Sequence, residues 1–245
     1  MQHKTDFFDS RAESWEDRHY PQSVRCKLKA LLPKFGISAG DWILDIGTGP
    51  GILIPYLRET AGCLGRVFAF DMSYPMVSQA RKRHAFPETA VLQADVHHMP
   101  FPDRTFDRVI CFAAFPHFET PSLAVHEMAR VARPGAGVVI AHLMSREELA
   151  RHHAAHTTVA RDVLPGPDAM AVLFRNAGLT APDITDISGA YIASGIRMAG
   201  ACLQENPMAK APVDVRNPNS GRAVSSLACG RNRRGEAPSA DDWLP

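Results

Sequence analysis

The chain has 245 residues, 45% of them apolar and 22% charged, and a formal net charge of +1 at pH 7. This length suits one domain with a full core, whereas the near-neutral charge argues against a nucleic-acid partner, which would require a basic surface. The sequence contains no apolar run long enough to span a membrane and no apolar N-terminal signal segment, so we predict a cytoplasmic protein.

Two short helices are predicted at the N-terminus, within residues 6–35. Asp9 or Ser10 could cap the first helix, and the second runs through residues 24–32 and stops at Pro33. The segment also contributes aromatic side chains that either pack on the edge of the domain or face a ligand, namely Phe7, Phe8 and Trp15.

A glycine-rich loop follows the first strand. Residues 42–46 form a short apolar run that is rich in β-branched and aromatic side chains, as expected of a buried parallel strand. Gly47, Gly49 and Gly51 come next and lead into a predicted helix over residues 51–60. Glycines allow a tight turn and bring main-chain N–H groups close to a ligand at a helix N-terminus. The pattern indicates either a nucleotide-type binding loop or a plain turn between strand and helix.

The spacing of these glycines argues against NAD as the ligand. In the dinucleotide fingerprint the third glycine lies five positions after the first, and here that position is Ile52. An NAD-dependent oxidoreductase is therefore disfavoured, although a single glycine motif is weak evidence by itself.

The second predicted strand, residues 66–71, ends in an acid. Asp71 follows Gly51 at the distance at which a carboxylate can accept hydrogen bonds from two ribose hydroxyls. The alternative is that Asp71 caps the helix predicted over residues 74–84. The same position is compatible with both roles.

The third predicted strand, residues 89–95, also ends in an acid. Asp95 could face a ligand in the same way as Asp71, or it could form a turn with His97 and His98. A fourth buried strand is predicted over residues 106–112, and its end lies at the switch point where open parallel sheets bind ligands.

From residue 145 the sequence pattern changes. Ser145 and Glu148 have capping-box spacing and open a helix that carries several histidines. Beyond residue 198 the helical and strand periods vanish, so residues 199–245 are predicted to be a mostly disordered tail. The other predicted elements are helices over residues 120–132 and 170–177 and strands over residues 138–142, 184–187 and 191–196.

The glycine loop and a later stretch resemble one family. The D-x-G-x-G-x-G pattern of residues 45–51 resembles motif I of the class I S-adenosylmethionine (SAM)-dependent methyltransferases, and Asp71 with Met72 resembles their second motif. Residues 99–112, MPFPDRTFDRVICF, resemble the LPFPDxSFDxV signature of the ubiquinone/menaquinone-biosynthesis-like methyltransferases. The resemblance is strong over residues 42–143 and looser on either side.

This resemblance implies a doubly wound, Rossmann-like α/β domain with a seven-stranded, mostly parallel sheet whose last strand is antiparallel. Residues 1–35 would form a helical lid and residues 36–198 the methyltransferase domain. The implied cofactor is SAM, with its adenine amino group bound by Asp95 and its ring against the main chain of Val96. The residues expected to hold the cofactor are Asp45, Gly47, Thr48, Gly49, Gly51, Asp71, Met72, Asp95 and Val96.

Three histidines are candidates for catalysis, because an acceptor that must lose a proton needs a base. His117 directly follows the fourth strand and could act on the acceptor or merely anchor the loop. His152 and His156 have i, i+4 spacing and would share a helix face, with His153 facing elsewhere. That pair could bind the acceptor, act as a base, or ligate a metal together with Asp162. H-x-x-x-H is a weak metal signal, and we predict no metal.

We therefore predict SAM-dependent methyl transfer to a small-molecule acceptor, without a nucleic-acid partner or a membrane span. The alternatives are a quinone-type C-methyltransferase and a SAM-binding sensor or partner protein that has lost catalysis. Neither the methylated atom nor the oligomeric state follows from the sequence.

Overall fold

The computed structural model describes residues 2–86, 88–155 and 157–199. The predicted tail, residues 199–245, lies outside this part of the chain except for its first residue, and the candidate His156 also lies outside it.

The described residues form a sheet with helices on both of its faces. The helices are α1 (Gln2–Asp9), α2 (Trp15–His19), α3 (Gln22–Leu31), α4 (Ile54–Ala61), α5 (Tyr74–Arg83), α6 (Pro121–Val131), α7 (Arg146–Ala154) and α8 (Pro167–Asn176). The strands are β1 (Trp42–Ile46), β2 (Arg66–Asp71), β3 (Thr89–Gln93), β4 (Phe106–Phe112), β5 (Ala132–His142), β6 (Leu179–Ile187) and β7 (Ala190–Arg197). Short 3-10 helices cover Ala12–Ser14, Leu32–Phe35 and Phe115–His117.

The sheet has seven strands in the order β3-β2-β1-β4-β5-β7-β6. Strands β1 to β5 pair in parallel, and β7 runs antiparallel to both β5 and β6. The predicted Rossmann-like α/β fold, with a mostly parallel sheet and an antiparallel last strand, is therefore confirmed.

Strand β1 is the point at which the strand order reverses. Its last residue, Ile46, lies opposite Phe70 of β2 on one side and Cys111 of β4 on the other. The carboxyl ends of all three strands consequently meet at one edge of the sheet. In open α/β sheets this is the place where ligands bind.

The core explains why β1 is almost continuously apolar. Ile43, Leu44 and Ile46 are all fully buried, because helices cover both faces of the central strands. On one face, Leu28 of α3 and Leu57 of α4 belong to a cluster that also contains Ile43. This packing fixes the strand ends from which the site is built.

The proline-containing stretch at residues 99–103 is held by Arg130 of α6. The Arg130 guanidinium donates hydrogen bonds to the main-chain carbonyl oxygens of Met99, at 3.0 Å, and Phe101, at 2.8 Å. The buried ring of Phe101 packs edge-on against Phe106, with 5.1 Å between ring centroids. The most distinctive sequence motif therefore braces the start of β4.

Two strands begin earlier than predicted. Strand β5 begins at Ala132, which pairs with Phe106 before a register shift, whereas the prediction placed its start at residue 138. Strand β6 begins at Leu179, which pairs with Arg197 ahead of a second irregularity. Periodicity alone misses such ends because the irregular pairing interrupts the alternation of buried and exposed residues.

The predicted cap at Asp9 or Ser10 is wrong. Helix α1 ends at Asp9 rather than beginning there, and the Asp9 carboxylate accepts a hydrogen bond from the Ser73 hydroxyl. The capping box at Ser145 is confirmed, since its hydroxyl accepts from the Glu148 N–H while the Glu148 carboxylate accepts from the Ser145 N–H. Among the described residues, no helix combines the length and apolar character needed to cross a membrane.

Candidate functional site

The three glycines of the loop after β1 serve different purposes. All three have positive φ, at 66° for Gly47, 54° for Gly49 and 89° for Gly51. A Cβ on Gly47 would lie 2.3 Å from Ala114, and one on Gly51 would lie 2.5 Å from the His84 ring. A Cβ on Gly49 would meet no heavy atom within 4 Å. Gly49 therefore faces open space, whereas the other two glycines let the loop pack closely against its neighbours.

Asp71 lies at the end of β2, against the same loop. Its carboxylate accepts hydrogen bonds from the main-chain N–H groups of Gly49, at 2.8 Å, and Ser73, at 2.9 Å. Burial raises the pKa of Asp71, and these two bonds oppose the shift. Ser73, not Asp71, is the cap of α5, because its hydroxyl accepts from the Met76 N–H. The capping alternative for Asp71 is therefore wrong.

Asp45 stabilises the same loop through a buried hydrogen bond. The Thr48 hydroxyl donates a 2.7 Å hydrogen bond to the Asp45 carboxylate, and both residues are buried. Burial raises the pKa of Asp45 to about 7, because the bond from Thr48 does not offset desolvation and the charge of Asp71 adds to it. The pair fixes the backbone of the loop that carries Gly49.

Asp95 forms a turn, as the alternative interpretation proposed. One of its carboxylate oxygens accepts from the His97 N–H at 2.9 Å and lies 2.7 Å from the His97 Nδ1. The His97 Nε2 in turn accepts from the Thr120 N–H at 3.2 Å. Val96 and His97 line the cavity. Sequence reasoning missed His97 as a cavity residue, although its place just after β3 was a usable signal.

His117 is hydrogen-bonded to an acid from a distant part of the chain. Its Nδ1 lies 2.8 Å from the carboxylate of Asp162, which is buried. A carboxylate accepts hydrogen bonds, so the proton of the neutral imidazole sits on Nδ1 and Nε2 is left as an acceptor. Sequence analysis considered Asp162 only as a metal ligand, and nothing in the local pattern pairs it with His117.

Two further histidines adjoin this pair. His153 is buried and its Nδ1 donates to the main-chain carbonyl of Asp162 at 2.6 Å, so the expectation that it faces elsewhere is wrong. His142, at the end of β5, accepts at Nδ1 from the Met144 N–H at 3.0 Å. Burial, reinforced by the charges of nearby histidines, lowers the pKa of His142 to about 3. Sequence analysis overlooked His142, although it closes a predicted strand at the ligand edge.

His152 lies at the same end of the cavity. Helix α7 ends at Ala154 and His156 is outside the described residues, so the expectation that His152 and His156 share one helix face stays a prediction. Within residues 2–86, 88–155 and 157–199, no group of three or more His, Cys, Asp or Glu side chains could hold a metal ion.

These residues surround one cavity of about 710 Å³. It extends from the glycine loop to the histidines and is covered by the N-terminal segment, whose aromatic residues Phe7, Phe8 and Trp15 all line it. The ring of Phe8 lies 5.0 Å from that of His117. The aromatic residues of the segment therefore face the cavity, which contradicts the interpretation that they only pack on the domain edge.

The N-terminal segment is anchored by a buried acid. The Glu16 carboxylate of α2 binds Arg25 of α3, at 2.6 Å, and Arg83 of α5. Burial opposes ionisation of Glu16, but the hydrogen bonds from the two arginines prevail and lower its pKa. Three helices are thus joined at one charged cluster beside the cavity.

Comparison with known proteins assigns the fold and the loop to a family. A family model described as a methyltransferase domain matches residues 44–140. The solved structure of a SAM-dependent methyltransferase from Aquifex aeolicus is 25% identical, with a TM-score of 0.59, over 77% of this chain and 97% of that one. Residues 44–140 thus match a methyltransferase domain, and the fold is that of the class I SAM-dependent methyltransferases. This assignment removes the NAD-dependent oxidoreductase alternative.

Other relatives of this methyltransferase differ in what their names say they act on. The ubiquinone/menaquinone biosynthesis C-methyltransferase UbiE of Bdellovibrio bacteriovorus is 34% identical over 46% of this chain and 48% of its own length. A phosphoethanolamine N-methyltransferase from Haemonchus contortus, solved in complex with SAM, shares the fold at 14% identity, with a TM-score of 0.64, over 78% of this chain and 57% of that one. The chain spans about half to three fifths of the length of the first curated relatives it matches.

The cavity of the methyltransferase fits SAM. Gly49 leaves open space where a side chain would stand, and the carboxylate of Asp71 lies beside that space. The volume lies within the range of roughly 300–1,000 Å³ that is usual for small-molecule sites. Of the residues predicted to bind the cofactor, the cavity is lined by Asp45, Gly47, Thr48, Gly49, Asp71, Met72 and Val96. Gly51 packs against α5 instead, and the Asp95 carboxylate is bonded to His97.

Proposed function

We propose that this methyltransferase transfers a methyl group from SAM to a small-molecule acceptor held in the same cavity. The observation that carries the proposal is that one cavity is lined both by Gly49 and Asp71 and by His117, His142 and His153. A donor and an acceptor bound there would meet inside a site closed by the N-terminal segment.

One end of the cavity would bind the cofactor and the other end would bind the acceptor. At the loop end, the Gly49 main chain and the Asp71 carboxylate would bind the cofactor, with Val96 against its adenine ring, as predicted from the sequence. When bound, SAM supplies an electrophilic methyl group on a sulfonium. At the other end, His117 would remove a proton from the acceptor, with Asp162 keeping its imidazole in the correct tautomer and orientation.

The N-terminal segment would exclude water. Phe8 and Trp15 supply apolar walls, and their rings pack 5.5 Å apart. Transfer between aligned partners in a dry site needs no covalent enzyme intermediate, so most of the catalytic effect would come from alignment. The boundary of this lid at residue 35 stays a prediction.

Transfer of radiolabelled methyl from SAM into fractions of a host extract tests the proposal. We expect label in the small-molecule fraction, and binding of S-adenosylhomocysteine by calorimetry. Label in protein or nucleic acid would contradict a small-molecule acceptor. Binding without transfer to any fraction would favour the non-catalytic sensor.

A quinone-type C-methyltransferase is the second candidate, supported by the 34% identity to UbiE over about half of each chain. The first part of the stretch that carries this resemblance, residues 99–103, braces β4 against Arg130 and does not line the cavity, whereas the last residue of the stretch, Phe112, does. A reduced naphthoquinone with a free ring position tests this candidate by mass spectrometry. The predicted cytoplasmic location also stays a prediction, which fractionation of host cells tests.

A further inference from the structure

The inference concerns the acceptor and rests on the proposed methyl transfer. We propose that the acceptor carries a phenol- or enol-type hydroxyl on an apolar body, that His117 deprotonates this hydroxyl, and that Asp162 is the positioning residue for His117. The product is then an O-methyl ether.

The site contains an oriented base. The Nδ1 of His117 is committed to the Asp162 carboxylate at 2.8 Å. The main-chain carbonyl of Asp162 is itself bound by His153 at 2.6 Å, so the acid is held from both sides. His117 lines the cavity, and its Nε2 is the nitrogen left for a ligand. An acceptor without a removable proton, such as a carboxylate, would leave this arrangement unused.

The pKa values of possible acceptor groups indicate which of them needs a base. A phenol with a pKa of about 10 is ionised to roughly one part in a thousand at pH 7, so a base contributes strongly to its reactivity. A thiol with a pKa of about 8.5 ionises to a few per cent without help. An aliphatic hydroxyl, with a pKa close to that of water at about 15.7, is too weak an acid for an imidazole to deprotonate well. The base therefore matches a phenol or an enol best.

Ionisable side chains near His117 influence which acceptor can bind. His142, His152, His153 and Arg151 share the His117 end of the cavity. The carboxylate of Glu148, at the same end, is already bound by the N–H groups of Ser145 and Gly189 and by the hydroxyl of Ser188. Burial lowers the pKa of His142 and of His153, so both are neutral near pH 7 and Arg151 is the cation among these side chains. Beside Arg151 an ammonium acceptor is unfavourable, whereas a neutral or partly anionic oxygen is favoured.

The walls of this region are largely apolar. Apolar side chains contributed by the N-terminal segment, the loop after β4 and the segment around α7 surround the histidines, namely Phe8, Trp15, Phe118, Leu149 and Val159. Such walls bind an aromatic or otherwise apolar body by area burial and ring contacts. A small charged acceptor would leave them without a partner.

The proposed step balances. The O–H bond of the acceptor breaks and its proton goes to Nε2 of His117. The oxygen lone pair forms the bond to the methyl carbon, and the electron pair of the methyl–sulfur bond returns to sulfur, which becomes the neutral thioether of S-adenosylhomocysteine. The proton then leaves the imidazolium for solvent.

The product decides the acceptor class. SAM labelled with carbon-13 in its methyl group is incubated with the full chain and an active extract fraction, and the labelled product is analysed by NMR. We expect the shift of an aryl or enol ether that is stable to mild alkali. A methyl group on nitrogen, sulfur or carbon, an ester, or an aliphatic ether overturns this inference but leaves the proposed function intact, whereas absence of any transfer counts against the proposed function itself.

Variants test the base and its positioning residue. Two titratable groups contact His117, namely Asp162 and His153, and the charge of His117 also acts on His142 and Asp71. We expect His117→Gln to lower kcat roughly 10²- to 10⁴-fold without changing the Kd for S-adenosylhomocysteine, and its residual rate to rise with pH as the acceptor ionises unaided. Asp162→Asn should lower kcat with little change in KM.

A surface histidine provides the matched control. His126 on α6 is half-buried, does not line the cavity and is bonded through Nδ1 to the carbonyl of Ser122 in its own helix, so His126→Gln should keep full activity. Equal activity of His117→Gln and His126→Gln would overturn the assignment of the base. Should His117→Gln fold poorly, added imidazole should restore turnover to His117→Ala, and failure of this rescue would also overturn it.

Discussion

The carboxylate of Asp71 accepts a 2.8 Å hydrogen bond from the main-chain N–H of Gly49, which lies 22 positions earlier in the chain. This bond joins the end of β2 to the loop after β1, and it orients the loop before any ligand is bound. Polar groups that are arranged in advance reduce the ordering that binding would otherwise require.

Gly49→Arg should abolish cofactor binding without unfolding the domain. The long side chain would occupy the open space beside Asp71, since a Cβ at Gly49 meets no heavy atom within 4 Å. We expect the Kd for S-adenosylhomocysteine to rise at least about 100-fold, equivalent to about 2.8 kcal/mol. Calorimetry measures the affinity, and thermal unfolding measures the stability.

Gly135→Arg is the control for backbone strain. Gly135 also has positive φ, at 85°, and open space around an added Cβ, but it does not line the cavity. Its substitution should cost similar stability and leave affinity unchanged. Loss of affinity in both variants, or retained affinity in Gly49→Arg, would contradict the role of Gly49.

Glu16→Gln should loosen the N-terminal segment. The substitution removes the charge that Arg25 and Arg83 share and leaves both guanidinium groups partly buried. Because the arginine side chains are about 30% exposed, solvent moderates the loss, and we expect about 1–3 kcal/mol. Urea unfolding measures the stability, and hydrogen exchange over residues 2–20 should accelerate.

Asp17→Asn is the matched control, because Asp17 is an exposed acid of the same helix. It should change neither the stability nor the exchange rates. Equal exchange in the two variants would show that the Glu16 cluster does not anchor the segment.

The free energy of unfolding should rise with pH, because the unfolded chain loses a proton from His142 that the folded chain does not bind. Burial lowers the folded-state pKa of His142 to about 3, from an ordinary value of 6.5. Between these pH values the unfolded chain binds the extra proton and the folded chain does not, so stability increases with pH across the window and levels off above pH 6.5. Protonation would also break the hydrogen bond from the Met144 N–H to Nδ1.

His142→Asn tests this pH dependence, because the amide oxygen can still accept from Met144 but does not titrate. Urea unfolding between pH 4 and pH 7 should show a shallower rise of stability with pH than in the unmodified protein. His126→Asn, on α6 and away from the cavity, should keep the original slope. An unchanged slope in His142→Asn would disprove the contribution of His142.

Ser145→Ala should destabilise α7 by about 1 kcal/mol, because the Ser145 hydroxyl accepts from the Glu148 N–H at the helix start. Thr120→Ala is the comparison, since Thr120 occupies the same position before α6 but makes no side-chain capping bond. Thermal unfolding should separate the two variants. If both cost the same, the capping box contributes nothing measurable.

The loop and the sheet could be predicted from the sequence because their signals are local. A short apolar strand, glycines at fixed spacing and an acid at the end of the next strand lie within about 30 residues of one another, between Trp42 and Asp71. The buried strands β1, β2 and β4 carry near-continuous apolar runs, because strands at the centre of the sheet are covered by helices on both faces.

The acceptor end could not be predicted in the same way. Asp162 meets His117 across 45 residues, and it lies in an irregular segment after α7 that has no periodic signal. The helix-spacing argument grouped His152 with His156 because it assumed that α7 continues, whereas the helix stops at Ala154. Only tertiary packing identifies His153 as a neighbour of His117.

The walls of the cavity have two different origins along the chain. The donor end is built from the part of the chain that the family model matches, whereas Phe8, Trp15, Leu149 and Val159 lie before or after that part. The residues that bind the donor and those that surround the acceptor can therefore change independently in evolution. Grafting the first 35 residues onto a relative should therefore alter which compounds that relative modifies while sparing its affinity for the nucleoside.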